Sequence, residues 1–108
     1  MTKSTKNLTS KELFNAKSST VALQKAGEEI TITGCAIDEV TDTVTGDVKC
    51  VTYLFEEGGH VYGTISASVY NSASELIDYI DDINEPVQLR INRNKSNAGR
   101  EFLTISVL

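Results

Sequence analysis

The chain has 108 residues, a hydrophobic content of 40% and a net charge of −5. These totals allow one modest core and one domain. They exclude a generally basic polyanion binder, and no apolar run approaches the roughly 20 residues that a membrane-spanning helix needs.

Charge is segregated along the chain. Residues 1–25 hold five lysines against Glu12, a net +4, and residues 26–57 hold eight acids against Lys49, a net −7. Residues 69–85 carry −5, whereas residues 86–100 carry Arg90, Arg93, Lys95 and Arg100 and no acid, a net +4. Only particular surfaces could then follow a phosphate backbone.

Residues 1–8 read as a flexible polar tail, and residues 9–108 as a single domain. The N-terminus lacks the apolar core of a signal peptide, so a cytoplasmic location is expected. Thr9-Ser-Lys-Glu12 has capping-box spacing ahead of Leu13 and Phe14, which allows a short N-terminal helix. Ile30-Thr-Ile32-Thr then alternates as a half-buried strand does. At Gly34 the phase changes and Cys35 and Ile37 take the apolar positions, which predicts a bulge or sharp bend. Asp38 to Asp47, polar and holding Gly46, reads as the loop joining strands 1 and 2, with strand at its margins allowed.

Val48 to Phe55 is a second strand, and Glu56-Glu-Gly-Gly59 a tight turn. His60 to Ala67 returns as the third strand. Ser72-Ala-Ser-Glu75, a second capping box, heads a helix with Ala73, Leu76, Ile77, Ile80 and Ile83 on one stripe. Pro86 stops it. Val87 to Asn92 and Phe102 to Leu108 form a closing hairpin around a turn at 94–99. The class is mainly β. Three strands, a helix and a hairpin is the order of a five-stranded Greek-key OB-fold barrel, with its helix between strands 3 and 4. Such barrels bind single-stranded nucleic acids or oligosaccharides, but fold alone does not give function.

Alternation sorts the faces. Lys49, Val51, Tyr53 and Phe55 share a side, and Lys49 argues that this side meets water. Tyr62 keeps company with His60, Thr64 and Ser66, and Phe102 with Thr104 and Ser106. A ring on a wet sheet face can stack on a nucleobase, worth about 1–3 kcal/mol for any sequence. The plainer reading is that Tyr62 or Phe102 caps the open end of the barrel core or packs beneath the N-terminal segment. Arg90, Arg93, Lys95 and Arg100 sit in or beside one hairpin. Phosphate contact is one reading. A solvated hairpin whose charges deter edge pairing is the other.

His60 is the lone histidine, and Cys35 and Cys50 are better read as buried thiols than as a disulfide. No P-loop, Gly-x-Ser-x-Gly or nucleophile–base grouping appears. No catalysis, metal, cofactor or small-molecule substrate is therefore expected.

Six collinear segments resemble one family. They are Leu13-Phe-Asn-Ala16, Asp42-Thr-Val-Thr-Gly-Asp47, Val51-Thr-Tyr-Leu-Phe55, Val61-Tyr-Gly-Thr-Ile-Ser66, Ala73-Ser-Glu-Leu-Ile-Asp78 and Phe102-Leu-Thr-Ile-Ser-Val-Leu108. The chain is similar to the small single-stranded DNA-binding proteins of tailed phages with protein-primed DNA replication. The resemblance implies a non-catalytic, sequence-tolerant protein that protects displaced strands during phage DNA replication in the infected host's cytoplasm. It assigns DNA contact to Tyr62, the tyrosine of the third-strand motif. Where the family carries aromatics near the loop between strands 1 and 2, this chain has Val40 and Val44. Tyr53, Phe102, Lys49 and the four cations of the hairpin are candidates on the residues alone.

A different reading stays open. The acidic spans 26–57 and 69–85 could make an OB-scaffold interaction module, or a DNA mimic that inhibits a host protein. Replication proteins as partners, and homo-oligomers formed through the terminal strand, also stay open.

Overall fold

A computed structural model describes residues 2–108 as a mainly β fold with one long helix between strands. The elements in order are β1 (Lys3–Ser4), α1 (Ser10–Ala16), β2 (Thr20–Ala22), a single 3-10 turn (Leu23–Lys25) and β3 (Glu29–Thr41). They continue with β4 (Val48–Glu56), β5 (Val61–Thr64), α2 (Ala67–Ile83), β6 (Val87–Lys95) and β7 (Glu101–Val107). The strands form one seven-stranded sheet in the order β2-β5-β4-β3-β6-β7, with β1 added to β3.

β3 organises the sheet. Its first residues, Glu29 to Ile32, pair with β6, and Ile32 to Thr41 pair with β4. β1 pairs with β3 at Ala36 and Ile37. One strand thus serves two sets of neighbours, and the sheet curls about it. The register shifts between Ile32 and Gly34, where the sequence pattern changes phase. A bulge there bends the strand and keeps both halves facing the core. Gly34 has a second reason to be glycine. A Cβ at this position would stand 2.7 Å from Leu8 Cδ2 and 3.1 Å from Thr5 Oγ1.

Several expectations are corrected. The sheet has seven strands, not five, because the first 25 residues add β1 and β2. Residues 1–8 are not a loose tail over the described positions: the Thr2 amide donates to Ile37 O at 3.0 Å and the Thr5 amide to Cys35 O at 2.9 Å. Lys3 Nζ lies 2.9 Å from Asp78 Oδ1 and donates to Ser74 O at 3.2 Å. The loop read at 38–47 shrinks to 42–47, because pairing between Thr41 and Val48 carries both strands through polar sequence. Inside that loop the Asp42 carboxylate accepts from the Val44 and Thr45 amides, which holds its pKa below the usual value.

The third predicted strand stops at Thr64, and α2 starts at Ala67 rather than at Ser72. Ser66 is its N-cap, with Oγ accepting from the Val69 amide at 3.4 Å. Asn84 in the left-handed conformation (φ 52°) ends the helix just before Pro86. The Thr9 capping box forms as predicted: Thr9 Oγ1 accepts from the Glu12 amide and the Thr9 amide donates to Glu12 Oε1, both at 3.1 Å.

Two cores result. The main one lies between the inner face of the sheet and α2, built on Leu23, Ile32, Leu54, Val69, Ile77 and Leu89. The second lies on the outer face, where Ala36, Tyr53 and Phe55 are covered by Ala16, Leu8 and Leu13. Burying each such aliphatic or aromatic side chain contributes about 1.5–3 kcal/mol, so α1 is fixed by what it covers more than by its short length.

Candidate nucleic-acid interface

Strand register assigns each candidate residue to a face. Leu54 pairs with Tyr62, and Tyr53 with Gly63. Directly opposed residues share a face, so Tyr62 is on the inner side with Leu54, and Tyr53 is on the outer side. On the hairpin, Arg90 pairs with Ser106, Asn94 with Phe102, Arg93 with Leu103 and Lys95 with Glu101. Leu103 belongs to the main core, so Arg93 and Lys95 continue the inner side, and Arg90 and Phe102 stand on the outer side. The candidates therefore do not form one face. Lys49, Tyr53, Arg90 and Phe102 are outside, and Tyr62, Arg93 and Lys95 are inside. Lys49, opposite Val40, lies toward the end of β3 away from the stretch that β6 pairs with.

Tyr53 departs most from expectation. Its residue is 6% exposed, because α1 and Leu8 roof the outer side of β4. Burial, followed by the nearby Asp38 carboxylate, raises its phenol pKa. Lys49 shares this side but lies beyond the roof, so its exposure says nothing of Tyr53. The ring is a packing group in this structure rather than an open platform.

Tyr62 is half-buried against the main core. Its ring stacks on His60, with centroids 6.3 Å apart and planes 24° from parallel. Desolvation first, and then the adjoining Glu56 carboxylate, raise its phenol pKa. His60 Nδ1 stands 3.4 Å from Glu56 Oε1. Two-residue alternation into β5 puts His60 beside Tyr62, on the side the sequence assigned to both.

Phe102 is 37% exposed on an edge strand. Around it the outer side of the hairpin is polar and ordered. Asn92 Nδ2 donates to Ser106 Oγ at 2.9 Å, and Asn94 Nδ2 to Thr104 Oγ1 at 3.1 Å. Arg90, Lys95 and Arg100 are exposed. Arg93 is committed elsewhere: its Nη2 donates to Gln24 O and Ala26 O, each at 3.0 Å.

That clamp closes a seam. The free side of β5 is taken by β2, in parallel, rather than by β7. Arg93 ties β6 to the segment after β2, and Ser66 Oγ donates to Leu103 O at 3.1 Å, tying the start of α2 to β7. Between these ties runs a groove of about 480 Å³ lined by Gln24, Thr64 to Ser68, Arg93 and Glu101 to Leu103. Ile65, 65% exposed, and Phe102 both line it. Sequence reasoning passed over Ile65 because it sat in a segment read as strand.

The family model for the phage single-stranded DNA-binding protein matches residues 2–108. A single-stranded DNA-binding protein of Bacillus phage B103 is 30% identical over 100 residues, spanning 87% of this chain and 82% of the relative. No solved structure matches significantly. A match along essentially the whole described chain settles the grouping: this chain belongs to the phage single-stranded DNA-binding protein family.

Proposed function

We propose that the protein binds single-stranded DNA without sequence preference and without catalysis, protecting displaced strands during phage DNA replication in the host cytoplasm. The carrying observation is the exposed ring of Phe102 on a hairpin that also presents Arg90, Lys95 and Arg100. A ring beside several cations suits an unpaired strand, whose bases offer π-faces and whose backbone offers charge. The acidic remainder of the molecule repels a polyanion, so the strand is guided to this rim. We read β3 to β7 as an OB-like Greek-key set, extended by the N-terminal strap, with the rim at its unclosed side.

Tyr62 contributes from the inner side through its stack with His60. Lys49, remote along β3, serves at most a strand long enough to leave the rim. Fluorescence anisotropy with labelled oligo-dT tests the reading. Binding should weaken steeply as salt rises, since each neutralised phosphate releases counterion. Tyr62→Ala should lower affinity about 5- to 150-fold, the range of one stacked base. Binding that ignores salt, or an affinity that Tyr62→Ala and a combined Lys95→Ala/Arg100→Ala change leave intact, would refute it.

The alternative of an acidic docking module gains nothing specific here. Part of the acidic surface is already engaged inside the chain, by Lys3 on Asp78, the Lys6 amide on Asp81 and Lys17 on Asp38.

A further inference from the structure

We propose that the seam groove between the β5–α2 junction and the start of β7 is a slot for one unstacked nucleobase. The proposal rests on the single-strand binding reading above and adds to it a place and a mode. Its walls are chemically suited to a base. Ile65 and Phe102 both line it, and both present exposed apolar surface there. The volume, about 480 Å³, accepts a single base with part of its sugar, not a duplex.

Arg93 lines the groove as well. Its guanidinium is held in place by Gln24 O and Ala26 O, so its plane is presented without further loss of side-chain freedom. A fixed guanidinium plane stacks on a base, and its charge attracts the attached phosphate. Lys95 and Arg100 lie on the same hairpin beyond the slot and extend the positive rim. Glu101 also lines the groove and opposes Lys95 across the hairpin, so it turns an anionic backbone away from the floor and toward the rim. A polyanion with an apolar, planar side group fits this combination. An apolar peptide would leave the rim cations unused.

The mode differs from flat stacking on a sheet face. A base lying on the outer side of β7 would touch Phe102 but never Ile65. Ile65 is therefore the discriminating residue, and its exposure makes Ile65→Ala a fold-neutral change. The experiment uses the full chain, oligo-dT and the same oligomer carrying 5-iododeoxyuridine. Anisotropy should show Ile65→Ala weakened about fivefold through its lost apolar contact, with Phe102→Ala weakened at least as much. Photocrosslinks, mapped by mass spectrometry, should fall on Phe102. Wild-type binding with an unchanged Ile65→Ala variant, or crosslinks confined to Tyr62 or His60, would overturn the slot and leave the single-strand reading standing. Failure of the wild-type protein to bind any oligomer would overturn both.

Discussion

Arg93 Nη2 donates to the carbonyl oxygen of Ala26 at 3.0 Å, across 67 residues of chain. With its twin bond to Gln24 O, this contact holds β6 against the segment that leads into β3, at the place where the curled sheet does not close by strand pairing. A residue expected to meet phosphate thus has a prior structural duty.

The first prediction separates those duties. Arg93→Ala should lower stability by about 1.5–3 kcal/mol, the usual worth of hydrogen bonds from a charged group, toward the low end because the site is partly solvated. Urea denaturation measures it. Arg93→Lys keeps the charge and loses the fork, so it should recover salt-dependent DNA affinity better than it recovers stability.

Tyr53 and Tyr62 make a second contrast. Tyr53→Ala removes a buried ring from the outer core and should cost about 3–5 kcal/mol, as large-to-small aromatic changes do. Its thermal midpoint should fall accordingly. Tyr62→Ala, half-exposed at its rim, should lower DNA affinity more than it lowers the midpoint. A Tyr53→Phe variant, which keeps the ring, should bind and melt like the parent.

The contrast shows what could be read from the chain and what could not. The bulge at Gly34, the Thr9 cap, the α2 stripe and the closing hairpin are local, and alternation and cap spacing reveal them. The roof over Tyr53 is not local. It comes from Leu8, Leu13 and Ala16, brought back by pairing between β1 and β3. β2 is three exposed residues whose partner lies about 40 positions further on, so no periodicity marks it. Ser66 was hidden as an N-cap because it fell inside the span read as the third strand, and the capping-box spacing at Ser72 offered the helix a later start. Face assignment failed where both sides of the sheet are covered, as on β4, and held where one side stays wet, as on β7.

Gly34 and Leu8 give a third prediction. Gly34→Ala sets a methyl 2.7 Å from Leu8 Cδ2 and should cost about 1–3 kcal/mol through overpacking. In a Leu8→Ala background the same change should cost clearly less. A double-mutant cycle by urea denaturation reads the coupling, and strictly additive values would contradict the close approach.

Thr52 is the fourth case. Its hydroxyl is buried beside Leu54 and, among the described residues, has no hydrogen-bond partner. Thr52→Val removes that hydroxyl at nearly constant shape and suits a strand. Stability should rise by about 1 kcal/mol, seen as a higher urea midpoint with an unchanged slope.

Cys35 predicts a pH effect. Burial in the main core pushes its thiol from an ordinary 9.0 up to about 12. The unfolded chain ionises first, so the protection is complete below about pH 9 and is lost as pH rises toward 12. The urea midpoint should fall between pH 8 and pH 11, and Cys35→Ala should flatten part of that fall. Tyr53, raised in the same direction by burial, accounts for a further part. With a thiol reagent at neutral pH, the half-buried Cys50 should react before Cys35.

The strap has a consequence for how the molecule is made. Lys3 meets Ser74 at a separation of 71 residues, and Gln24 meets Arg93 at 69. The first segment to leave the ribosome can pair with β3 early, but its ties to α2 and β6 wait for almost all the rest of the chain. Until then the seam is unclamped. A nascent chain stalled before Arg93 should be open to proteases that the finished protein resists.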